Sequence, residues 1–209
     1  GRSFDNGATQ LSMTNGSLDI HRRTRSESAP MGDSGWTIMV YLCGTDLESE
    51  CYAASMDIEE ALNGRYSDDV RIVYQTGGTA EWNEYYGISN SVSQRYVTNN
   101  GELELVDEFE LCNMGDPNTL TDFVSWGVEN YPAKRMGLVF WNHGGGSVSG
   151  AAFDELYELD SLTLDEMYAA FSSVWSPSAD EQPLELIGFD TCLMATVDVA
   201  YTFSDIAKY

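Results

Sequence analysis

The stretch Thr37-Ile38-Met39-Val40-Tyr41-Leu42-Cys43 is almost uninterruptedly apolar. A strand with one wet face alternates apolar and polar residues. A strand apolar throughout must be covered on both faces, as strands of a parallel sheet are. Three more short, largely apolar segments read as strands: Val70-Arg71-Ile72-Val73-Tyr74-Gln75, Met136-Gly137-Leu138-Val139-Phe140-Trp141 and Leu184-Glu185-Leu186-Ile187-Gly188-Phe189. Amphipathic segments separate them. Leu47, Cys51, Ala54, Ile58 and Leu62 recur at helical spacing after Thr45-Asp46-Leu47-Glu48, which has capping-box spacing, and Gly64 can end that helix. Leu120, Phe123, Val124 and Val128 mark a helix over about 119–130, and Thr163-Leu164-Asp165-Glu166 caps another that runs through Phe171. A last helix is expected from Leu193 to about Ala207. Strands alternating with helices predict an α/β fold with a mostly parallel central sheet flanked by helices.

Residues 93–111 break the pattern. Two alternating stretches flank Asn99-Asn100-Gly101, a tight-turn signal, so a hairpin is expected at the edge of the sheet or outside it. Residues 1–34 are rich in Gly, Ser, Asn and Thr and include His21-Arg22-Arg23-Thr24-Arg25. They read as a flexible N-terminal arm or pro-segment, ahead of a single domain over 35–209.

The 209 residues include 34 acidic and 10 basic ones, a net charge of -24. Such a surface repels nucleic acids and anionic membranes and attracts cationic partners. No apolar run approaches the ~20 residues of a membrane span, and no secretory signal is present in the sequence. The four cysteines form no CxxC pair and only two histidines exist, so a zinc site of Cys and His is not expected. Cys43, inside an apolar run, reads as a buried thiol.

Two of the apolar segments run into reactive side chains. One leads to Asn142-His143-Gly144-Gly145-Gly146, the other to Asp190-Thr191-Cys192. Sites in parallel α/β sheets form beyond the carboxyl ends of strands, so neighbouring strands would bring His143 and Cys192 together. Histidine titrates near neutrality and can draw the proton from a thiol that attacks a carbonyl. A helix starting just after Cys192 would favour the thiolate. The backbone N–H groups of Gly144 and Cys192 are candidates for holding the resulting oxyanion. Types and spacing alone leave open that each residue only packs the fold. The glycines do not form the GxGxxG of a dinucleotide site.

These motifs resemble the clostripain family of cysteine peptidases. The resemblance lies in Asn142-His143-Gly144-Gly145-Gly146 and in Gly188-Phe189-Asp190-Thr191-Cys192-Leu193-Met194-Ala195. It extends to the opening Trp36-Thr37-Ile38-Met39-Val40-Tyr41 and to Leu162-Thr163-Leu164, and covers Trp36 to Tyr209. It implies a caspase-like fold, a secreted or cell-surface setting, and endopeptidase cleavage after Arg or Lys with His143 and Cys192 as the catalytic pair. It also implies that Asp190 lines the pocket for the substrate's basic side chain, where the residue-level alternative is a strand-end cap for the Thr191 or Cys192 amide. Peptides or proteins with basic residues are the implied substrates. An inactive caspase-like module that binds cationic peptides is the competing reading. The sequence requires no cofactor; some relatives use calcium, and Asp154, Glu155, Glu158 and Asp160 are the acidic cluster that an ion would meet. Family members are often cut between the histidine and the cysteine, yet no Lys or Arg occurs from Gly144 to Ala207. Self-processing is therefore expected after Arg22, Arg23 or Arg25. At least one further strand is expected beyond Tyr209, in a C-terminal portion absent from this chain.

Overall fold

The computed structural model describes residues 4–5, 9–14, 17–22, 35–64, 69–99, 101–178 and 180–209. Three short strands, β1 (Phe4–Asp5), β2 (Thr9–Thr14) and β3 (Ser17–Arg22), pair antiparallel as a sheet of their own. The polar composition of this segment gave no sign of that backbone pairing. Arg22 ends β3; Arg23 and Arg25 lie outside the described residues.

The main sheet follows from the apolar segments. They become β4 (Trp36–Cys43), β5 (Val70–Gly77), β8 (Arg135–Trp141) and β11 (Leu186–Asp190), and the hairpin becomes β6 (Val92–Asn99) and β7 (Glu102–Glu110). Their order is β11-β8-β4-β5-β6-β7, with β11, β8, β4 and β5 mutually parallel and β6 and β7 antiparallel at one edge. Gly101, at φ +79°, takes the left-handed conformation that the turn between β6 and β7 needs. Arg95 fastens this edge. It is buried, bonds Gln75 and Asp122, and lies over the rings of Phe109 and Trp126 at 4.7 and 4.9 Å.

Alternation along the parallel strands sorts side chains onto two faces. Met39, Tyr41, Leu138 and Phe140 meet α3 (Pro117–Asn130) and α5 (Leu164–Val174) through Leu120, Phe123, Val124, Met167 and Phe171. Leu42, Tyr74 and Trp141 face α2 (Ala53–Asn63) through Ala54 and Ile58. Each large apolar side chain so buried contributes about 1.5–3 kcal/mol. The arrangement is the expected helix–sheet–helix sandwich.

Two helix expectations need correction. The helix from Thr45 is interrupted: α1 (Thr45–Ser49) ends, Tyr52 adopts φ +55°, and α2 begins at Ala53. Glu48 does not reach back to close a capping box. It is fully buried, and its carboxylate accepts from the Ser55 amide (2.9 Å), the Ser55 hydroxyl (2.5 Å) and the Asn83 amide (2.9 Å). It serves the first turn of the next helix instead, and Cys51 is exposed rather than packed. The second correction concerns the last helix. Residues 191–196 form a loop, and α6 spans only Val197–Thr202 with Thr196 as its cap. Met194, at 2 % exposure, anchors the loop to the core, and Leu193 is turned to φ +61°. Ala207 to Tyr209 then lie parallel beside residues 184–187 through Lys208 N to Leu184 O (3.1 Å) and Ile187 N to Tyr209 O (2.9 Å). The second capping box holds as expected: Thr163 and Glu166 bond each other's backbone amides.

Candidate active site

β8 and β11 are hydrogen-bonded neighbours, and their register ends with Trp141 beside Asp190. The Asn142 amide donates to the Asp190 carbonyl across the exit (3.4 Å). His143 and Cys192 each follow two residues later, so residues distant in sequence leave the same end of the sheet side by side. Gly144 shows how close the two loops are. A Cβ placed there would fall 2.0 Å from the Cys192 carbonyl oxygen and 2.8 Å from Thr191 Oγ1. Only glycine permits that approach. The glycine run thus first lets the histidine loop touch the cysteine loop. It then turns back through α4 (Gly146–Ser149) into β9 (Ala151–Asp154), which pairs antiparallel with β10 (Asp160–Leu162), and Gly145 N donates to Gly150 O (2.8 Å). The amides of Gly144 and Cys192, the candidate oxyanion donors, therefore share one small region.

Cys192 is an exposed free thiol. Cys43, by contrast, is buried; its thiol contacts the Phe153 carbonyl (3.3 Å), and burial pushes its pKa well up. The helix end expected to favour a Cys192 thiolate is not at Cys192, because the 191–196 loop intervenes before α6.

The His143 imidazole is held by Asp46, which lies in the first turn after Thr45 and carries no motif role of its own. Its Nε2 lies 2.7 Å from Asp46 Oδ1, and the Asp46 carboxyl is held below the usual carboxylate range, first by that hydrogen bond. Asp46 stands just beyond the carboxyl end of β4. The rule that selected His143 and Cys192, the first residues past a parallel strand, would have found it as well. Asn142, buried between the strand ends, spans from β8 to β4. Its amide nitrogen donates to the Cys43 carbonyl and to Thr45 Oγ1 (3.2 Å), and its oxygen accepts from the Phe153 amide (2.8 Å).

Asp190 closes the group. Its residue is exposed, and its pKa is raised, first by partial burial of the carboxyl and then by the charge of Asp57. Among the described residues its carboxylate receives no hydrogen bond, so it does not cap the Thr191 or Cys192 amide. Asp57, on α2, accepts from Trp141 Nε1 (2.6 Å). Trp141 and Asp190 are register partners on neighbouring strands, and the Asp57 carboxylate that holds the indole lies near enough for its charge to act on Asp190. Asp57 carries no motif, and only the packing of α2 brings it here.

The carboxylates of the acidic segment serve the protein itself. Asp154 accepts from the amides of Met114 (2.7 Å) and Leu156 (2.8 Å), and burial raises its pKa. Glu155 takes the Ala80 amide (2.9 Å) and the Ser49 hydroxyl, and Asp160 takes Asn113 (2.6 Å). Among the described residues no three His, Cys, Asp or Glu side chains converge on a metal position.

The profile of the clostripain family, peptidase family C11, matches residues 40–209. The chain belongs to this family. Clostripain of Hathewaya histolytica is 29% identical over 147 residues, 66% of this chain and 27% of that protein. Among solved structures, a secreted C11 cysteine protease from Bacteroides thetaiotaomicron, captured with an irreversible peptide inhibitor, superposes with a TM-score of 0.64 at 17% identity. That match covers 83% of this chain and 47% of the other. An inactive zymogen of a C11 protease from Parabacteroides distasonis gives 0.57 at 20% identity, over 82% and 46%. The clostripain-family chain described here therefore spans about a quarter of the length of the curated relative and about half of each structural one. At these identities the structural matches establish the fold. No helix among the described residues is long and apolar enough to cross a membrane.

Proposed function

We propose that this clostripain-family chain carries the catalytic pair of a cysteine endopeptidase that cleaves after Arg or Lys. The observation that carries the reading is the joint exit of His143 and Cys192 from adjacent parallel strands, with Gly144 against the Cys192 backbone. His143 takes the proton from Cys192, and the sulfur attacks the scissile carbonyl carbon. The amides of Gly144 and Cys192 hold the oxyanion. Collapse of that intermediate breaks the C–N bond, His143 returns the proton to the leaving amine, and water then hydrolyses the thioester. Asp190, whose carboxylate receives no hydrogen bond among the described residues, offers it to the substrate's guanidinium or ammonium group. Polypeptides with exposed basic residues, met outside the cell, are the substrates this chemistry fits. No step is routed through calcium.

In the full-length protein, Cys192→Ala should abolish nearly all peptidase activity and His143→Ala should do almost the same. Members of one catalytic unit fail non-additively, so the double variant should be little worse than Cys192→Ala alone. Substituting the exposed Cys51 should leave the rate intact. Hydrolysis at the wild-type rate by Cys192→Ala would refute the mechanism. Peptide binding without covalent labelling of Cys192 by a peptidyl chloromethyl ketone would favour an inactive module.

A further inference from the structure

We propose that Asp46 is a positioning residue for His143. Its carboxylate accepts the Nε2–H, which fixes the tautomer, leaves Nδ1 to take the Cys192 proton, and steadies the imidazolium that forms. The inference rests on the peptidase reading above. The direct support is the 2.7 Å contact between Asp46 Oδ1 and His143 Nε2. An imidazole with one nitrogen so engaged presents only the other to a thiol.

The contact is built into the ends of two strands. Thr45, the residue before Asp46, is fully buried and has φ +45°, a conformation that costs a β-branched residue strain and must be imposed by its surroundings. Three bonds impose it: Thr45 N to Gly78 O (2.9 Å), Thr79 Oγ1 to Thr45 O (2.7 Å), and Asn142 Nδ2 to Thr45 Oγ1 (3.2 Å). Asn142 is in turn the residue before His143. The immediate neighbours of both partners are thus hydrogen-bonded to each other in the buried layer beneath the pair. An incidental surface ion pair has long, free side chains at both ends; here Asp46 is short and rooted in a strained, buried turn.

The chemistry also requires such a group. The helix N-terminus that would have favoured a thiolate is displaced from Cys192, so proton transfer depends on how well the imidazolium is accommodated. Asp46 remains ionised below the ordinary carboxylate range, first because of the His143 hydrogen bond, and supplies the counter-charge throughout neutral pH. Its side chain is 53% exposed and that of His143 is 43% exposed, so solvent screens part of the effect.

The test is the pH dependence of kcat/KM on an arginyl peptide for the full-length wild type, Asp46→Asn and Asp46→Glu. Asparagine keeps an acceptor for Nε2–H and removes the charge. Asp46→Asn should lower kcat about 10- to 100-fold with KM little changed, as misplacement of a catalytic group does. Its acid limb should move to lower pH, because the His143 imidazole, which must be unprotonated to take the thiol proton, has lost the counter-charge that favours its protonated form. Asp46→Glu should recover part of both effects. A purely structural role would lower the melting temperature and the rate but leave the profile's limbs in place. An unshifted profile for Asp46→Asn, whatever its rate or stability, overturns the proposal. A wild type that turns over no peptide and whose Cys192 resists an arginyl chloromethyl ketone overturns the peptidase reading and this role with it, so the two failures are told apart.

Discussion

At the residue scale, the site depends on how neighbouring charges treat one another. Asp190 is the register partner of Trp141, whose indole bonds Asp57, and the like charge of Asp57 helps raise the Asp190 pKa. If the Asp190 carboxylate recognises a basic side chain, that recognition is complete above its raised pKa and is lost as the pH falls through it. The preference for an arginyl substrate over its neutral citrulline analogue should therefore fade on acidification sooner than an ordinary carboxylate would allow. Asp57→Asn preserves an acceptor for the Trp141 indole and removes the repulsion, so the fade should move to lower pH. Asp190→Asn should lower the arginyl-to-citrulline ratio of kcat/KM at neutral pH. A hydrogen bond to a charged group contributes about 1.5–3 kcal/mol, or roughly a 10- to 150-fold change. The ratio of kcat/KM values, followed against pH for the three proteins, checks both statements; a ratio that does not depend on pH would remove Asp190 from the pocket.

At the scale of elements, two identical-looking signals had different outcomes. Thr163 to Glu166 and Thr45 to Glu48 share the same spacing. The first is a capping box. In the second, the chain leaves β4 in a strained turn, and Glu48 swings inward to serve α2 and the 83 loop. The difference is measurable. Glu166→Ala removes a surface cap and should cost about 1 kcal/mol. Glu48→Ala leaves the buried Ser55 amide and the part-buried Asn83 amide without their acceptor, and losing a buried group's partner costs about 1–3 kcal/mol, so it should cost clearly more. Denaturant midpoints at unchanged m-value decide the order. Equal losses would mean that the Glu48 contacts are replaced by water at little cost.

At the scale of the molecule, β1–β3 form a sheet separate from the six-stranded one, and the segment joining them carries Arg23 and Arg25. No Lys or Arg lies between Gly144 and Ala207, so an enzyme specific for basic residues has no site there to cut itself. The junction after Arg22, Arg23 or Arg25 is where self-cleavage is expected, freeing a form that starts between Arg23 and Ser26. Intact mass of purified wild type and Cys192→Ala over time tests it. Loss of the N-terminal segment in the wild type alone is the expected result. An active wild type that keeps the segment, or equal loss from both proteins, would exclude self-processing there.

Much of this molecule is legible in its sequence, because periodicity and strand ends are local facts. Apolar runs at Thr37–Cys43 and Met136–Trp141 gave parallel strands, Asn99-Asn100-Gly101 gave the edge hairpin, and the residues after two strands pointed to His143 and Cys192 as candidates. Those readings depend only on which face of a segment must be dry and on where a parallel sheet places its loops. Three things were decided by tertiary structure. Asp46 stands past a strand end that the sequence shows, but it meets His143 only because β4 lies beside β8, and Asp57 comes near Asp190 only because α2 covers Trp141; no spacing along the chain records which strands are neighbours. Glu48 abandoned its local cap because burial gave its carboxylate better donors. The helix expected at Cys192 yielded to a loop because Met194 reaches the core and Gly144 lies against the Cys192 carbonyl. Local sequence sets what a segment prefers alone; which partner a polar group meets is settled only when distant segments pack and water is excluded between them.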